Sequence, residues 1–475
     1  MNSIDDQLEK LYAQKLIIET QIELLENQKQ QNIKSYITLK DSIYINSNHL
    51  SSKMIKSLKV FATFENPQIK ILQNLRKPIF NTPKSIYSFE EKDYQLILPR
   101  GLMRNVIELF KQNNLDTSYI DERFYKEEEF PEIKFKLRDE QKIAVDYISK
   151  KDFSLCIAPP GFGKTLIGAK MIELRKANTL VIVNKNMLLD QWIDRFVSYF
   201  GYKKSDIGFL GKSKNKLNNK LDVATMQSLK NNIDIIKNYS FVIVDECHHI
   251  PALTFEKIIK SFQGKFILGL SATPNRKDGM EPLIYQQLGS IAYEVKSKKS
   301  LTNKLKIVET EFRSEVDNFS DLIAELINDN NRNNLIIEEI EKYSKRKILL
   351  LTDRIEHIEN LELILKLKEI EYISIHGSLK KSEQVVSMEK VSTASLVLAT
   401  TSYFGEGIDF PHLDTIIFAT PISYYGRLVQ YLGRIGRGGS NCLAIDILDI
   451  YNSFTLSSYK KRKDGYKQLH YIRTK

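Results

Sequence analysis

Cysteine is scarce in this chain. Three occur in 475 residues, Cys156, Cys247 and Cys442, far apart and with no C-x-x-C pair. That spacing excludes a disulfide framework and a cysteine-built zinc site. Long apolar runs are also missing. No stretch of about 18 consecutive apolar residues occurs, so no membrane span is expected. The opening MNSIDDQLEK is polar and acidic, unlike a secretory leader, and an intracellular, reducing location is expected. Negative charge is the smaller share: 59 Asp and Glu stand against 70 Lys and Arg, a net +11 with pI about 9.1. Such a balance favours a polyanionic partner, although lysine is abundant along the whole chain.

The length suits two to four domains. In residues 1–38, Ile4, Leu8, Leu11, Ile18, Ile22 and Leu25 follow an alternating four-three spacing. This predicts one helix with a coiled-coil seam that self-associates, docks on a protein partner or packs in cis. Residues 39–131 are mixed: YQLILPRGL predicts a strand ending at Pro99-Arg100-Gly101, and MRNVIELFKQNN an amphipathic helix. An acidic run, DERFYKEEEFPE, marks a boundary near 131. Beyond it, short apolar strands (TLVIVN, FVIVDE, KFILGLSAT) alternate with helical segments, the signature of a parallel α/β sheet. The basic stretch Lys296–Lys306 reads as a linker. A second series follows: KILLLT, EYISIHG, SLVLATT and LDTIIFAT.

The chemistry starts at CIAPPGFGKTLIG, Cys156–Gly168. A strand runs into a glycine turn and then a helix. Glycines let backbone N–H groups converge on an anion, and the helix N-terminus adds partial positive charge. Pro160, Gly161, Phe162 and Gly163 form the cradle. Lys164 reaches the β- and γ-phosphates of a nucleotide, and the Thr165 hydroxyl ligates Mg²⁺. Ala158 stands where the phosphate-loop pattern has its first glycine. The second motif, FVIVDECHHI, delivers Asp245 and Glu246 at the carboxyl end of a buried strand, where ligands bind in open α/β sheets. One carboxylate can hold Mg²⁺ and the next can orient the attacking water. Of the adjacent histidines, His248 is read as a relay to neighbouring loops and not as a zinc ligand.

APPGFGKT, DECHH, SATPNRKDG, TTSYFGEGIDFP and QYLGRIGRG, in this order, resemble the motifs of superfamily 2 helicases of DEAD/DEAH type. The XPB-like group is the nearest, and within it bacterial helicases tied to restriction and anti-phage conflict. The resemblance spans roughly residues 83–475. It implies an α/β fold with two RecA-like parallel-sheet domains in tandem. Before them stand a helical or coiled-coil segment and a small mixed accessory domain. The expected division is 1–38, 39–131, 132–297 and 298–475, with 39–131 able to engage DNA.

The resemblance also implies roles. Gln141 reads adenine. Gly407 and Asp409 lie near the nucleotide. Ser271, Ala272 and Thr273 couple hydrolysis to domain movement, and Gln430, Arg434 and Arg437 act from the second domain. Asn184, Lys185, Gln227, Arg354, Gly377 and Thr401 sit where this superfamily touches the nucleic-acid backbone. ATP and Mg²⁺ are the implied cofactors. Nucleic acid is the implied partner, with DNA favoured over RNA. An RNA helicase and a nucleotide-gated scaffold that recruits a nuclease or transcription partner remain as alternatives.

Overall fold

The computed structural model describes residues 36–474 except 49, 248–251, 274, 275, 277, 296–302, 405–411, 423, 424 and 436–440, together with seven positions between 12 and 21. Those seven are helical and exposed. The rest of the expected coiled coil lies outside the described residues. Its expected end at 38 is corrected: Ile37–Leu39 is a β-strand with strands on both sides. Ile37 and Leu39 are buried in a sheet core, where a β-branched residue packs well.

The amino-terminal module has a five-stranded mixed sheet. Its order is Glu90–Lys92, Gln95–Leu98, Ile43–Asn46, Ile37–Leu39, Tyr119–Asp121. Helices Ser52–Phe61 and Met103–Gln112 cover it, burying Leu58, Val106 and Phe110.

The first large sheet has eight strands: β1 (Phe153–Ile157), β2 (Thr179–Val183), β3 (Gly208–Gly211), β4 (Lys214–Lys216), β5 (Leu221–Thr225), β6 (Phe241–Asp245), β7 (Phe266–Ser271) and β8 (Ile291–Glu294). They lie in the order β4-β3-β5-β2-β6-β7-β1-β8, and only the β3–β4 hairpin is antiparallel. Apolar clusters cover both faces, which is why β2 and β6 are buried along their whole length instead of alternating. The second sheet has seven strands: β9 (Lys304–Thr310), β10 (Ile348–Thr352), β11 (Ile373–Ile375), β12 (Leu396–Thr400), β13 (Thr415–Phe418), β14 (Leu443–Asp449) and β15 (Ile472–Thr474). Their order is β11-β12-β10-β13-β14-β9-β15, all parallel.

The basic stretch expected as a linker ends earlier than 306. Lys304–Lys306 already belong to β9, with Leu305 buried and Lys306 Nζ held by Glu339. β14 carries two buried carboxylates, Asp446 in mid-strand and Asp449 at its end. Asp446 takes a bidentate pair from Arg462 at 2.7 and 2.8 Å, and Asp449 is held by Arg332 at 2.7 Å. All four side chains are essentially inaccessible, so each charge depends on its partner.

The amino-terminal module is fastened to the first sheet by arginine. Arg100 is buried, and its Nη1 donates to the carbonyl of Gly264 at 2.9 Å and of Lys40 at 3.3 Å. Its guanidinium lies 4.9 Å from the Phe262 ring and 5.3 Å from Phe153. Arg123 approaches Phe153 too, and pairs with Asp121 and Asp152. The acidic run is thus laid along the first domain. Gly101 is required by close approach: a Cβ there would stand 2.5 Å from the Gly289 nitrogen and the Tyr285 oxygen. Removing Arg100 leaves buried carbonyls unpaired and opens a cavity. We expect Arg100→Ala to lower unfolding stability by about 2–4 kcal/mol, seen as a reduced urea midpoint. A shift below about 0.5 kcal/mol, the range of ordinary surface substitutions, would mean that the arginine does not hold this interface.

Candidate functional site

A cleft of about 480 Å³ opens between the two large sheets. From the first come Pro160, Gly161, Gly163, Lys164, Thr165, Asp245 and Glu246. From the second come Thr401, Ser402, Arg427, Gln430, Tyr431 and Arg434. The loop Ala158–Gly163 connects β1 to the helix Lys164–Arg175. Gly161 and Gly163 hold φ of 81° and 94°, the left-handed region that side chains resist. Ala158 is absent from the left-handed set, so the missing first glycine costs nothing there. Its N–H donates to the carbonyl of Ser271 at 2.9 Å, tying the loop to the end of β7. Ser271, Ala272 and Thr273 are buried, with the Ser271 hydroxyl donating to the Thr273 carbonyl at 2.5 Å.

Lys164 Nζ donates to the Ala158 carbonyl at 3.0 Å and lies 3.5 Å from Glu246 Oε1. Asp245 accepts a hydrogen bond from Trp192 Nε1 at 2.8 Å, and its other oxygen accepts from the Glu246 N–H at 3.0 Å. Burial pushes the Asp245 carboxyl up to about 6, and the Glu246 charge adds to the rise. The Trp192 hydrogen bond and Lys164 pull the other way. Two adjacent carboxylates with a hydroxyl from Thr165 in the same cleft form a hard-oxygen donor set, which fits a small divalent cation.

Two residues expected at the nucleotide have side chains engaged within the first domain. The Phe162 ring joins the domain core and stacks on Tyr293 at 6.2 Å, so only its backbone belongs to the loop. Gln141 is buried, with its Nε2 donating to the Phe162 carbonyl at 2.7 Å and its Oε1 accepting from the Arg138 N–H at 2.9 Å. It braces the loop from behind. A Cβ on Gly163 would meet this amide at 2.4 Å.

On the second domain, Gln430 lies on the helix Tyr425–Leu432 and Arg434 just beyond it. Arg434 donates to the Phe404 carbonyl and stands 5.5 Å from that ring. Gly433 meets the phosphate loop: a Cβ there would lie 2.9 Å from Pro160 Cδ. Met187 packs against the second domain's core. The two domains are thus in contact around the cleft. His248, Gly407, Asp409 and Arg437 lie outside the described residues.

The residues expected to touch nucleic acid share a place. Asn184 and Lys185, Gln227, Arg354, Gly377 and Thr401 follow the carboxyl ends of β2, β5, β10, β11 and β12. Asn184, Lys185 and Thr401 line the cleft itself. Thr401 is buried and its hydroxyl donates to Asp353. Gly377 has nothing within 4 Å of a built Cβ. Sequence reasoning overlooked Arg427 and Tyr431 on the second domain and Gln191 and Arg195 on the first, although Arg427, Gln430 and Tyr431 share one face of the helix Tyr425–Leu432.

Residues 134–276 match the family described as type III restriction enzyme, res subunit, and residues 331–439 match the helicase conserved C-terminal domain. A protein of Acanthamoeba polyphaga mimivirus named as an ATP-dependent RNA helicase is 28% identical over 335 residues. The match covers 66% of this chain, and the chain spans only 63% of that relative. A protein of Sulfurisphaera tokodaii named DNA 3'-5' translocase XPB2 is 26% identical, covering 65% of this chain and 80% of its own. The solved structure of S. cerevisiae Dbp5 bound to RNA and ADP BeF3 shares the fold, with TM-score 0.54 at 12% identity over 71% of this chain and 89% of that one.

Trp192→Phe keeps the packing and deletes one donor to a charged acceptor. We expect the Mg²⁺ concentration for half-maximal ATPase to rise roughly 10- to 100-fold. An unchanged Mg²⁺ requirement would mean that the contact does not position Asp245. Because the folded-state carboxyl sits near 6, turnover should fall as pH drops through that value and recover partly with added Mg²⁺. A flat profile from pH 7 to about 5 would contradict the assignment. With both family matches, the fold and one cleft that gathers their motifs, the chain carries the paired ATP-hydrolysing domains of a superfamily 2 helicase.

Proposed function

We propose that this chain is a DNA-stimulated, Mg²⁺-dependent translocase or helicase. The carrying observation is that Lys164, Asp245 and Glu246 on one sheet and Gln430 and Arg434 on the other line a single cleft. Lys164 binds the β- and γ-phosphates, exchanging its hold on the Ala158 carbonyl for a stronger charged partner. Thr165 and Asp245 hold the metal, which when bound neutralises phosphate charge. Glu246 accepts a hydrogen bond from the attacking water and orients it toward the γ-phosphorus. Arg434 stabilises charge that develops on the γ-phosphoryl oxygens, and it can do so only while the domains touch. Hydrolysis then follows closure, and release of phosphate removes the anion that held the arginine in place.

Polymer contact is assigned to the rim at the strand carboxyl ends, where Gln227, Arg354 and Gly377 are exposed. Because this rim spans both sheets, a backbone bound across it favours the closed pair. Net charge of +11 supports attraction to phosphate, which is read without regard to sequence. The XPB-like motif series, together with a DNA-translocase relative, favours DNA.

The test is ATPase rate with duplex, forked and single-stranded DNA and with RNA. We expect DNA to stimulate more than RNA at equal nucleotide concentration. Arg434→Ala should cost on the order of 10³-fold in stimulated rate while leaving most ATP affinity in the first domain. Stimulation by RNA alone would replace the DNA reading with the RNA one. A wild type that no nucleic acid stimulates would favour a nucleotide-gated scaffold.

A further inference from the structure

The amino-terminal module carries an arm that no motif explains. Its stem is the antiparallel pair Thr63–Glu65 and Ser85–Tyr87, in register Thr63↔Tyr87, Phe64↔Ile86, Glu65↔Ser85. Asn66 locks the base: its N–H donates to the Lys84 carbonyl and its Nδ2 to the Pro83 carbonyl, both at 2.9 Å. The helix Pro67–Asn74 and the run 75–84 project between the two strands. At the tip Phe80 is 85% exposed and Leu75 59%. Arg76 and Lys77 are exposed beside them, and no acidic residue occurs from Asn66 through Lys84. The arm's foot rests on the loop after β7, where a Cβ on Gly279 would lie 2.7 Å from Pro67 Cβ. It therefore stands at the same strand ends as the cleft.

We propose that this arm binds an unpaired stretch of nucleic acid, a base on Phe80 and the flanking phosphates on Arg76 and Lys77. An exposed aromatic ring offers a stacking face to any base, and adjacent cations with no competing carboxylate suit a phosphate chain. Pro78 and Pro83 restrict the run before it binds, so little order remains to be imposed. The inference rests on the nucleic-acid reading above and adds a contact outside both ATP-hydrolysing domains.

The experiment is fluorescence anisotropy of a labelled oligodeoxythymidine and a labelled blunt duplex, at several salt concentrations. Wild type, Phe80→Ala and the double variant Arg76→Ser/Lys77→Ser are compared as full chains with matched thermal unfolding. Phe80→Ala should weaken binding of the single strand roughly 5- to 100-fold and that of the duplex much less. The double variant should flatten the slope of log affinity against log salt by about 1.4, or 0.7 for each lost phosphate contact. Wild-type affinity and slope in both variants would overturn the assignment and leave the arm as a protein-docking surface. Equal weakening on strand and duplex would overturn the stacking contact. A wild type that binds neither probe would overturn the nucleic-acid reading itself, a result distinct from failure of the arm alone.

Discussion

Gly433 and Pro160 meet at a distance that leaves no room for a Cβ between them. That contact is where two rigid sheets touch, and the site depends on it. Each half carries an incomplete set of groups. The first domain brings Lys164 from the phosphate loop, Asp245 and Glu246 from the end of β6, and Arg195 from the helix after β2. The helix Tyr425–Leu432 and the turn after it bring Gln430 and Arg434. Both bodies are sheets packed on both faces, and such dense packing resists internal deformation. In the proposed mechanism, charge stabilisation at the γ-phosphate depends on domain separation, and this couples the chemical step to movement.

The first sheet supplies more than a platform. Trp192, the sole tryptophan, runs from the helix after β2 to Asp245 at the end of β6. Ala158 reaches from the phosphate loop to Ser271 at the end of β7. These two hydrogen bonds join the segments that this superfamily uses for polymer contact, metal binding and coupling. The buried indole thus links the helix that follows Asn184 and Lys185, which line the cleft, to the Asp245 carboxylate. The amino-terminal module is fastened to the same sheet, since Arg100 and Arg123 each lie 5.3 Å from the Phe153 ring at the start of β1.

Local features were legible in the sequence. FVIVDE declares a buried parallel strand because four apolar residues in a row cannot face water on either side, and Asp245-Glu246 then falls at its carboxyl end. The strands at FSLCIA, KILLLT and SLVLATT follow from the same run length. What escaped depends on pairs distant in sequence. The burial of Trp192 could be foreseen, but its hydrogen bond to a residue 53 positions later could not. Phe162 and Gln141 belong to nucleotide-loop motifs, yet their side chains are spent on the core and on bracing the loop. Lys304–Lys306 looked like a linker because three lysines crowd the stretch just before it. Pairing with β14 and β15 makes it a strand. Asp446 and Asp449 are buried on β14 against local preference, because Arg462 and Arg332 arrive from helices 16 and 117 residues away.

The central claim is that nucleotide and DNA together close the cleft. All three native cysteines are buried, so dyes can be attached selectively at Lys204→Cys on the first domain and Lys366→Cys on the second, both exposed positions. Energy transfer between them, followed in single molecules, reports domain separation directly. The account predicts a broad distribution without ligands, and a narrow high-transfer state when a non-hydrolysed ATP analogue and DNA are both present. Gly433→Ala should abolish that state, since its methyl group would strike Pro160. A transfer distribution that ligands do not change, or a Gly433→Ala protein that closes like wild type, would contradict it.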